Sequence, residues 1–221
     1  MKFVKVSADK PVVDFIAKRL TDHLNKNEKV LWLLSGGSTA YLAVEVSKKL
    51  STGLSNLTVS LIDERYGPPG HENSNWEHIR RLGLNLTTAR LAPILSGKSL
   101  NETVKSYDSF LKTAFKMDYS IALMGIGPDS HIAGIKPKSP ATIAKTFATS
   151  YDWDDFKGRI TMTFEAIKQL NCSISYLTSK SKGQAIMDLQ KDLSPSEYPS
   201  QILKQAKEAI IFNDMLGEEV L

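Results

Sequence analysis

Lys29-Val30-Leu31-Trp32-Leu33-Leu34 runs into Ser35-Gly36-Gly37-Ser38-Thr39, after which apolar residues recur at Tyr41, Leu42, Val44, Val46 and Leu50. The first six residues form a short, nearly continuous apolar run, which suits a strand buried on both faces of a parallel sheet. The last group has helical spacing. Between them, two glycines and two hydroxyl residues make a turn that lets the backbone approach a ligand closely and leaves amide groups free at a helix start. The unit is therefore strand, glycine turn, helix. The turn lacks the lysine of a P-loop and the spacing of GxGxxG, so neither nucleotide signature is met. Ser38 and Thr39 can cap the helix, and both can donate to phosphate oxygens. A plain tight turn would carry the same letters.

Outward from this unit the alternation repeats. Upstream, Met1 to Val6 reads as a first strand, and Val12, Val13, Phe15, Ile16, Ala17, Leu20 and Leu24 follow helical spacing. Downstream, Leu57 to Ile62 reads as a strand ending at Asp63-Glu64-Arg65. A loop rich in Gly, Pro and Asn follows, and a helix is expected from about Ser74 to Arg81. Leu100 to Lys116 reads as a helix and Tyr119 to Met124 as a strand ending at Gly125-Ile126-Gly127-Pro128-Asp129-Ser130-His131. Further strands are expected at Ile160 to Thr163, Cys172 to Thr178 and Glu208 to Phe212, with helices near Phe164 to Gln169 and Lys182 to Gln190. Alternation of this kind predicts an α/β fold, a doubly wound, mostly parallel Rossmann-like sheet with helices on both faces. Ligands then bind beyond the carboxyl ends of the strands, where three polar or glycine-rich loops fall.

The chain has 221 residues, 42% hydrophobic and 24% charged, which is within reach of one core, and no composition shift marks a linker. One domain over residues 1–221 is expected. The one cysteine, Cys172, lies in an apolar run and reads as buried filler, and it excludes an intrachain disulfide or a cysteine-rich metal site. The N-terminus lacks the apolar stretch of a signal peptide, and no run approaches the roughly 20 apolar residues of a membrane span. A cytoplasmic protein without a membrane partner is expected.

The net charge of +4 permits a polyanionic partner, yet the cations are interspersed with acids and form no basic stripe with interleaved aromatics. The charge equally suits a small anionic substrate. Nucleic acid is not expected.

Three segments carry chemistry. Besides the glycine turn, Asp63-Glu64-Arg65 places two carboxylates and a guanidinium at a strand end, where Arg65 could grip a phosphate or carboxylate in its planar fork. A surface ion pair would look the same. Asp129-Ser130-His131 delivers an acid and an imidazole into the same crevice; the imidazole can take a proton from water near neutrality while the carboxylate orients it. A histidine capping a turn is the plainer alternative. His23, His71 and His78 have no metal-ligand spacing, so no metal or cofactor is expected.

Taken in order, Ser35 to Thr39, Asp63-Glu64-Arg65-Tyr66, Ser74-Asn75-Trp76, Gly125 to His131 and Arg159-Ile160-Thr161-Met162-Thr163 resemble the 6-phosphogluconolactonase and glucosamine-6-phosphate deaminase superfamily. The lactonase branch is closer: Asp63 to Tyr66 with Ser74-Asn75 is similar to its DERxV…DSN segment, and Gly127-Pro128-Asp129 to its GxGPDGH motif. Two positions depart from it. Ser130 stands where the motif has its last glycine, and a positive φ there would cost on the order of 1 kcal/mol or more. Lys136 stands where that branch has an aromatic residue and where the deaminase branch has a glutamate that assists ring opening.

The resemblance implies hydrolysis of the intramolecular ester of 6-phosphoglucono-δ-lactone, a small phosphorylated sugar lactone, with His131 activating water and Asp129 orienting the imidazole. It points to Ser38, Arg159 and Lys182 for the phosphate, with Gly36, Gly37 and Thr39 in the same cradle and Asp63 and Arg65 near the sugar. The oxyanion donors would be backbone amides of the Gly36-Gly37 or Gly125-Gly127 loop. A monomer or small homo-oligomer is implied. An amino-sugar-phosphate deaminase or isomerase, and a sugar-phosphate sensor without turnover, are the alternatives.

Overall fold

The computed structural model describes residues 1–153 and 156–219. In chain order the elements are β1 (Lys2–Lys5), α1 (Lys10–Leu24), β2 (Val30–Leu34), α2 (Ala40–Ser47), β3 (Leu57–Leu61), β4 (Asp63–Arg65), α3 (Asn75–Arg81), β5 (Arg90–Leu91), α4 (Leu100–Ala114) and β6 (Tyr119–Leu123). There follow β7 (Ala148–Trp153), β8 (Phe156–Met162), α5 (Phe164–Ile167), β9 (Cys172–Leu177), α6 (Ser179–Leu189), β10 (Ala209–Asn213) and β11 (Glu218–Glu219).

Eight strands form one sheet in the order β11-β1-β10-β9-β6-β2-β3-β5, and every pairing in it is parallel. The central strands β2, β3, β6 and β10 are buried at every position, as expected of strands covered on both faces.

The chain winds twice. From β1 it passes through α1 to β2, then outward through β3 to β5; α4 brings it back to β6, from which it moves the other way to β9 and β10. Right-handed crossovers in opposite directions put helices on opposite faces. The packing of α1 on α2 and of α2 on α3 follows from this. The direction reverses between the paired neighbours β2 and β6. The loops leaving these two strands therefore diverge to opposite faces and open a crevice at the sheet's carboxyl edge.

A second, antiparallel sheet of order β4-β8-β7 stands over that edge. Residues 63–65, read from sequence as a strand-end loop, are a strand of this sheet, and the strand expected at Ile160 to Thr163 belongs to it and begins at Phe156. The crossing happens at Ile62, whose amide still bonds Leu34 of the main sheet while its carbonyl accepts from Met162 of the second. The register opposes Asp63 to Thr161 and Arg65 to Arg159. Two arginines distant in sequence are thus brought side by side.

The helix expected from Lys182 starts earlier, at Ser179, because the Asp214 carboxylate caps its first turn: it accepts from the Ser179 amide at 2.7 Å and the Ser179 hydroxyl at 2.8 Å. Lys182 itself has non-helical angles, φ −134° and ψ 17°, and marks a kink. No helix among the described residues is long and apolar enough to cross a membrane.

Candidate active site

At the switch point lies a cleft of about 250 Å³. It is lined from the β2–α2 loop by Ser35, Gly37 and Ser38, from the second sheet by Asp63, Arg65 and Arg159, from α3 by Asn75, from the loop after β6 by residues 125–128, His131 and Ala133, and from α6 by Lys182.

The loop after β6 is held by its own backbone: the Gly127 amide donates to the His131 carbonyl at 2.9 Å and the Ser130 amide to the Gly127 carbonyl at 3.0 Å. This tight return puts His131 directly over Gly127. A β-carbon at Gly127 would lie 2.1 Å from the imidazole and 2.7 Å from Asp129 Oδ1, so only glycine fits. Ser130 has φ 64°, the left-handed conformation that the glycine of the related motif would adopt without cost, and Ala133 and Lys138 are left-handed as well. Such strain persists only where surroundings impose it. Part of the bracing comes from the turn of 3₁₀ helix at Pro199–Gln205, whose Ser200 amide donates to the Ser130 carbonyl at 2.9 Å.

Within this loop Asp129 Oδ1 lies 2.5 Å from His131 Nδ1, and Asp129 Oδ2 lies 3.2 Å from Lys136 Nζ. Burial works to raise the Asp129 pKa, but the hydrogen bond and charge of His131, with Lys136, outweigh it and hold the carboxyl well below the usual carboxylate range. An ionised Asp129 fixes a proton on Nδ1. The other ring nitrogen, Nε2, is then the basic one.

Asp63 is buried, 3.6 Å from Arg159. Arg65 donates to Asn75 Oδ1 at 2.6 Å and to the Asn73 carbonyl at 3.1 Å, and the Asn75 amide nitrogen donates to the Asp63 carbonyl at 2.9 Å. Glu64 points away from the cleft and is fully buried. It accepts from the amides of Arg65, Asn75 and Trp76 and from the Ser74 hydroxyl, so it ties β4 to the N-terminus of α3. Burial raises its pKa and the four donors offset part of that rise.

The Lys182 ammonium makes no hydrogen bond or ion pair among the described residues, and burial pulls its pKa down. It also lines a side cavity of about 160 Å³ shared with Ser38 and bounded by Thr39, Tyr41, Tyr176, Thr178 and Ser181. Thr39 thus faces the side cavity rather than the main cleft, its buried hydroxyl without a partner. Gly36 lines neither. Its α-carbon lies under Asn75, whose Cγ would be 2.2 Å from a β-carbon there. Among the described residues no acceptor takes the amides of Gly36, Ser38 or Thr39, whereas the Gly127 amide is already committed to His131.

Of the residues singled out in the sequence, Gly37, Ser38, Asp63, Arg65, His131, Arg159 and Lys182 meet around one cleft, with Asp129 behind His131. Asn75, quoted in the Ser74-Asn75-Trp76 segment but given no role there, also lines the cleft. Its signal was the Ser74 cap, which accepts from the Glu77 amide and starts a helix whose first residue is Asn75. Cys172 is buried, and burial pushes its thiol up to about 12, which suits filler rather than a nucleophile. Among the described residues no three His, Cys, Asp or Glu side chains are placed to hold a metal ion.

A parallel α/β sheet with an acid–imidazole pair at the switch point, facing two arginines and a lysine, is the arrangement of an enzyme acting on a small phosphorylated substrate. The chain belongs to the glucosamine-6-phosphate isomerases/6-phosphogluconolactonase family, whose model matches residues 6–212. It is 23% identical over 217 residues to a 6-phosphogluconolactonase of Synechocystis sp., covering 93% of this chain and 90% of that one. Its fold is similar to that of a 6-phosphogluconolactonase from Shewanella baltica, with TM-score 0.82, 17% identity and coverage of 100% and 98%. A monomeric glucosamine-6-phosphate deaminase has the same fold, with TM-score 0.77, 19% identity and coverage of 97% and 98%.

Proposed function

We propose that this protein hydrolyses 6-phosphoglucono-δ-lactone to 6-phosphogluconate, with His131 as the base that activates water. The observation that carries the reading is the Asp129–His131 pair at 2.5 Å, set in a cleft that also holds Arg65, Arg159 and Lys182. The names of its lactonase relatives in Synechocystis sp. and Caulobacter vibrioides support it.

The chemistry follows from the geometry. Nε2 of His131 takes a proton from water as its oxygen attacks the lactone carbonyl, and Asp129 stabilises the imidazolium that forms. The carbonyl oxygen becomes an oxyanion, for which the uncommitted amides of the β2–α2 loop are candidate donors. Collapse breaks the bond to the ring oxygen, which leaves with the proton from His131. The ester becomes a carboxylic acid and a hydroxyl, and the acid ionises to the carboxylate by releasing its proton to solvent at neutral pH. The phosphate is held by Ser38, Arg159 and Lys182 at the N-terminus of α2, and Arg65 with Asp63 and Asn75 orients the sugar end. The side cavity lets Thr39 join the phosphate cradle. We read the reaction as a cytoplasmic step of the pentose phosphate pathway.

The deaminase reading is weaker, because the position where that branch carries a glutamate holds Lys136, tied to Asp129. Parallel assays separate the two. The expected outcome is faster loss of freshly made lactone than spontaneous hydrolysis, with no ammonia released from glucosamine 6-phosphate. Ammonia release without lactone turnover would reverse the assignment, and stabilisation by 6-phosphogluconate without either reaction would leave a sensor.

A further inference from the structure

Lys136 is a cation bonded to the dyad through Asp129, and the proposed reaction gives it no part. Its Nζ is fixed from two sides: Asp129 Oδ2 lies 3.2 Å away, and the ring centroid of Trp153 lies 5.3 Å below it. Its amide donates to the Tyr151 hydroxyl at 3.1 Å, and that hydroxyl donates in turn to the Gly134 carbonyl. The side chain is only 17% exposed, against 41% for Asp129. A lysine this enclosed does not behave as a solvated surface charge, because carboxylate and aromatic face together hold its side chain in place. The two oxygens of Asp129 are divided, one to His131 and one to Lys136.

We propose that Lys136 is a positioning residue for the dyad: it holds the Asp129 carboxylate in the rotamer that meets His131 Nδ1 and offsets part of the negative charge that the imidazole feels. Removing the ammonium leaves His131 facing an undivided carboxylate, which favours the imidazolium and takes the base out of its working form at low pH. The other ionisable groups around the imidazole are Asp63 and Arg65 on β4, Arg159 on β8 and Lys182 on α6, with Tyr151 on β7 behind the Lys136 backbone. The inference rests on the reading of His131 as the water-activating base, and the test keeps the two apart.

Lys136→Met keeps the apolar stem against Trp153 and removes the charge; Lys136→Arg keeps the charge. The imidazole of His131 is titrated by NMR in the wild-type protein and both variants, alongside pH profiles of kcat/KM for lactone. In Lys136→Met the imidazole midpoint and the acid limb should both move to higher pH by on the order of half a unit. Lys136→Arg should return both toward wild type, which a purely structural role would not do. Superimposable imidazole titrations in the wild type and Lys136→Met overturn the inference. An imidazole shift in a protein without lactone turnover supports the coupling while overturning the lactonase reading.

Discussion

Gly127 has no space for a side chain, since a β-carbon there would stand 2.1 Å from the His131 ring. Gly127→Ala should therefore displace the imidazole and lower kcat by on the order of a hundredfold or more, while the far-ultraviolet circular dichroism stays that of the wild type. Asp129 makes a second prediction at this scale, in pH. Its carboxyl is held below its ordinary range in the folded protein, so its ion pairs contribute stability that is fully present above about pH 4 and lost as pH falls through the lowered value. Asp129→Asn should melt below wild type at pH 7, and the gap should close progressively in acid; a gap constant from pH 7 to pH 2 would contradict the ion-pair account. These residues were legible in the sequence because the acid and the imidazole are two residues apart on one loop. Ser130 was legible conditionally, and its φ of 64° is the left-handed conformation that the related motif's glycine suggested. Asn75 entered only as part of the Ser74-Asn75-Trp76 segment, and its contacts with Gly36 and Arg65 were not legible because they come from other elements.

Among the elements, α3 is placed by a single buried acid. Glu64 satisfies three backbone amides and one hydroxyl at the junction of β4 and α3. Glu64→Ala should cost about 3 kcal/mol or more in denaturant unfolding by orphaning those donors, and the surviving enzyme should show a raised KM because Asn75 and Arg65 lose their common support. The sequence placed Glu64 beside Asp63 and Arg65 as a third polar letter with no sign that it faces inward; apart from the adjacent Arg65 amide, its partners Ser74, Asn75 and Trp76 lie ten and more residues away. The nearly continuous apolar run at 30–34 was legible because burial on both faces leaves it no polar alternation, while 57–61 and 119–123 read as strands despite Thr58, Ser60 and Ser120, which are buried with the rest. Strands β4 and β8 were misplaced for the converse reason. The short, polar β4 takes its identity from β8, to which it pairs across almost a hundred residues, and β8 extends four residues upstream of the expected Ile160.

For the whole molecule, the decisive fact is that the winding reverses between β2 and β6, so two loops separated by about ninety residues face each other across one crevice. Alternating strands and helices predicted that such a crevice exists, but strand order is set by tertiary packing and could not be read from local pattern. The cleft gathers Arg65, Arg159 and Lys182 from three elements. Binding of 6-phosphogluconate should therefore raise the melting temperature, and gluconate without phosphate should raise it far less. Lys182→Ala should weaken that stabilisation and raise KM by roughly ten- to a hundredfold, the effect of losing one charged hydrogen bond, with kcat changed much less. An equal fall in kcat would move Lys182 from phosphate binding into the chemistry. The account as a whole stands on water activation by His131 in a lactone-binding cleft. Its most direct test is the rate of loss of freshly prepared 6-phosphoglucono-δ-lactone, followed at neutral pH with wild-type protein and with folded His131→Ala. The prediction is acceleration over the spontaneous rate by the wild type and loss of that increment by on the order of 10²- to 10⁴-fold in the variant. Undiminished turnover by His131→Ala, or no acceleration by the wild type, would contradict it.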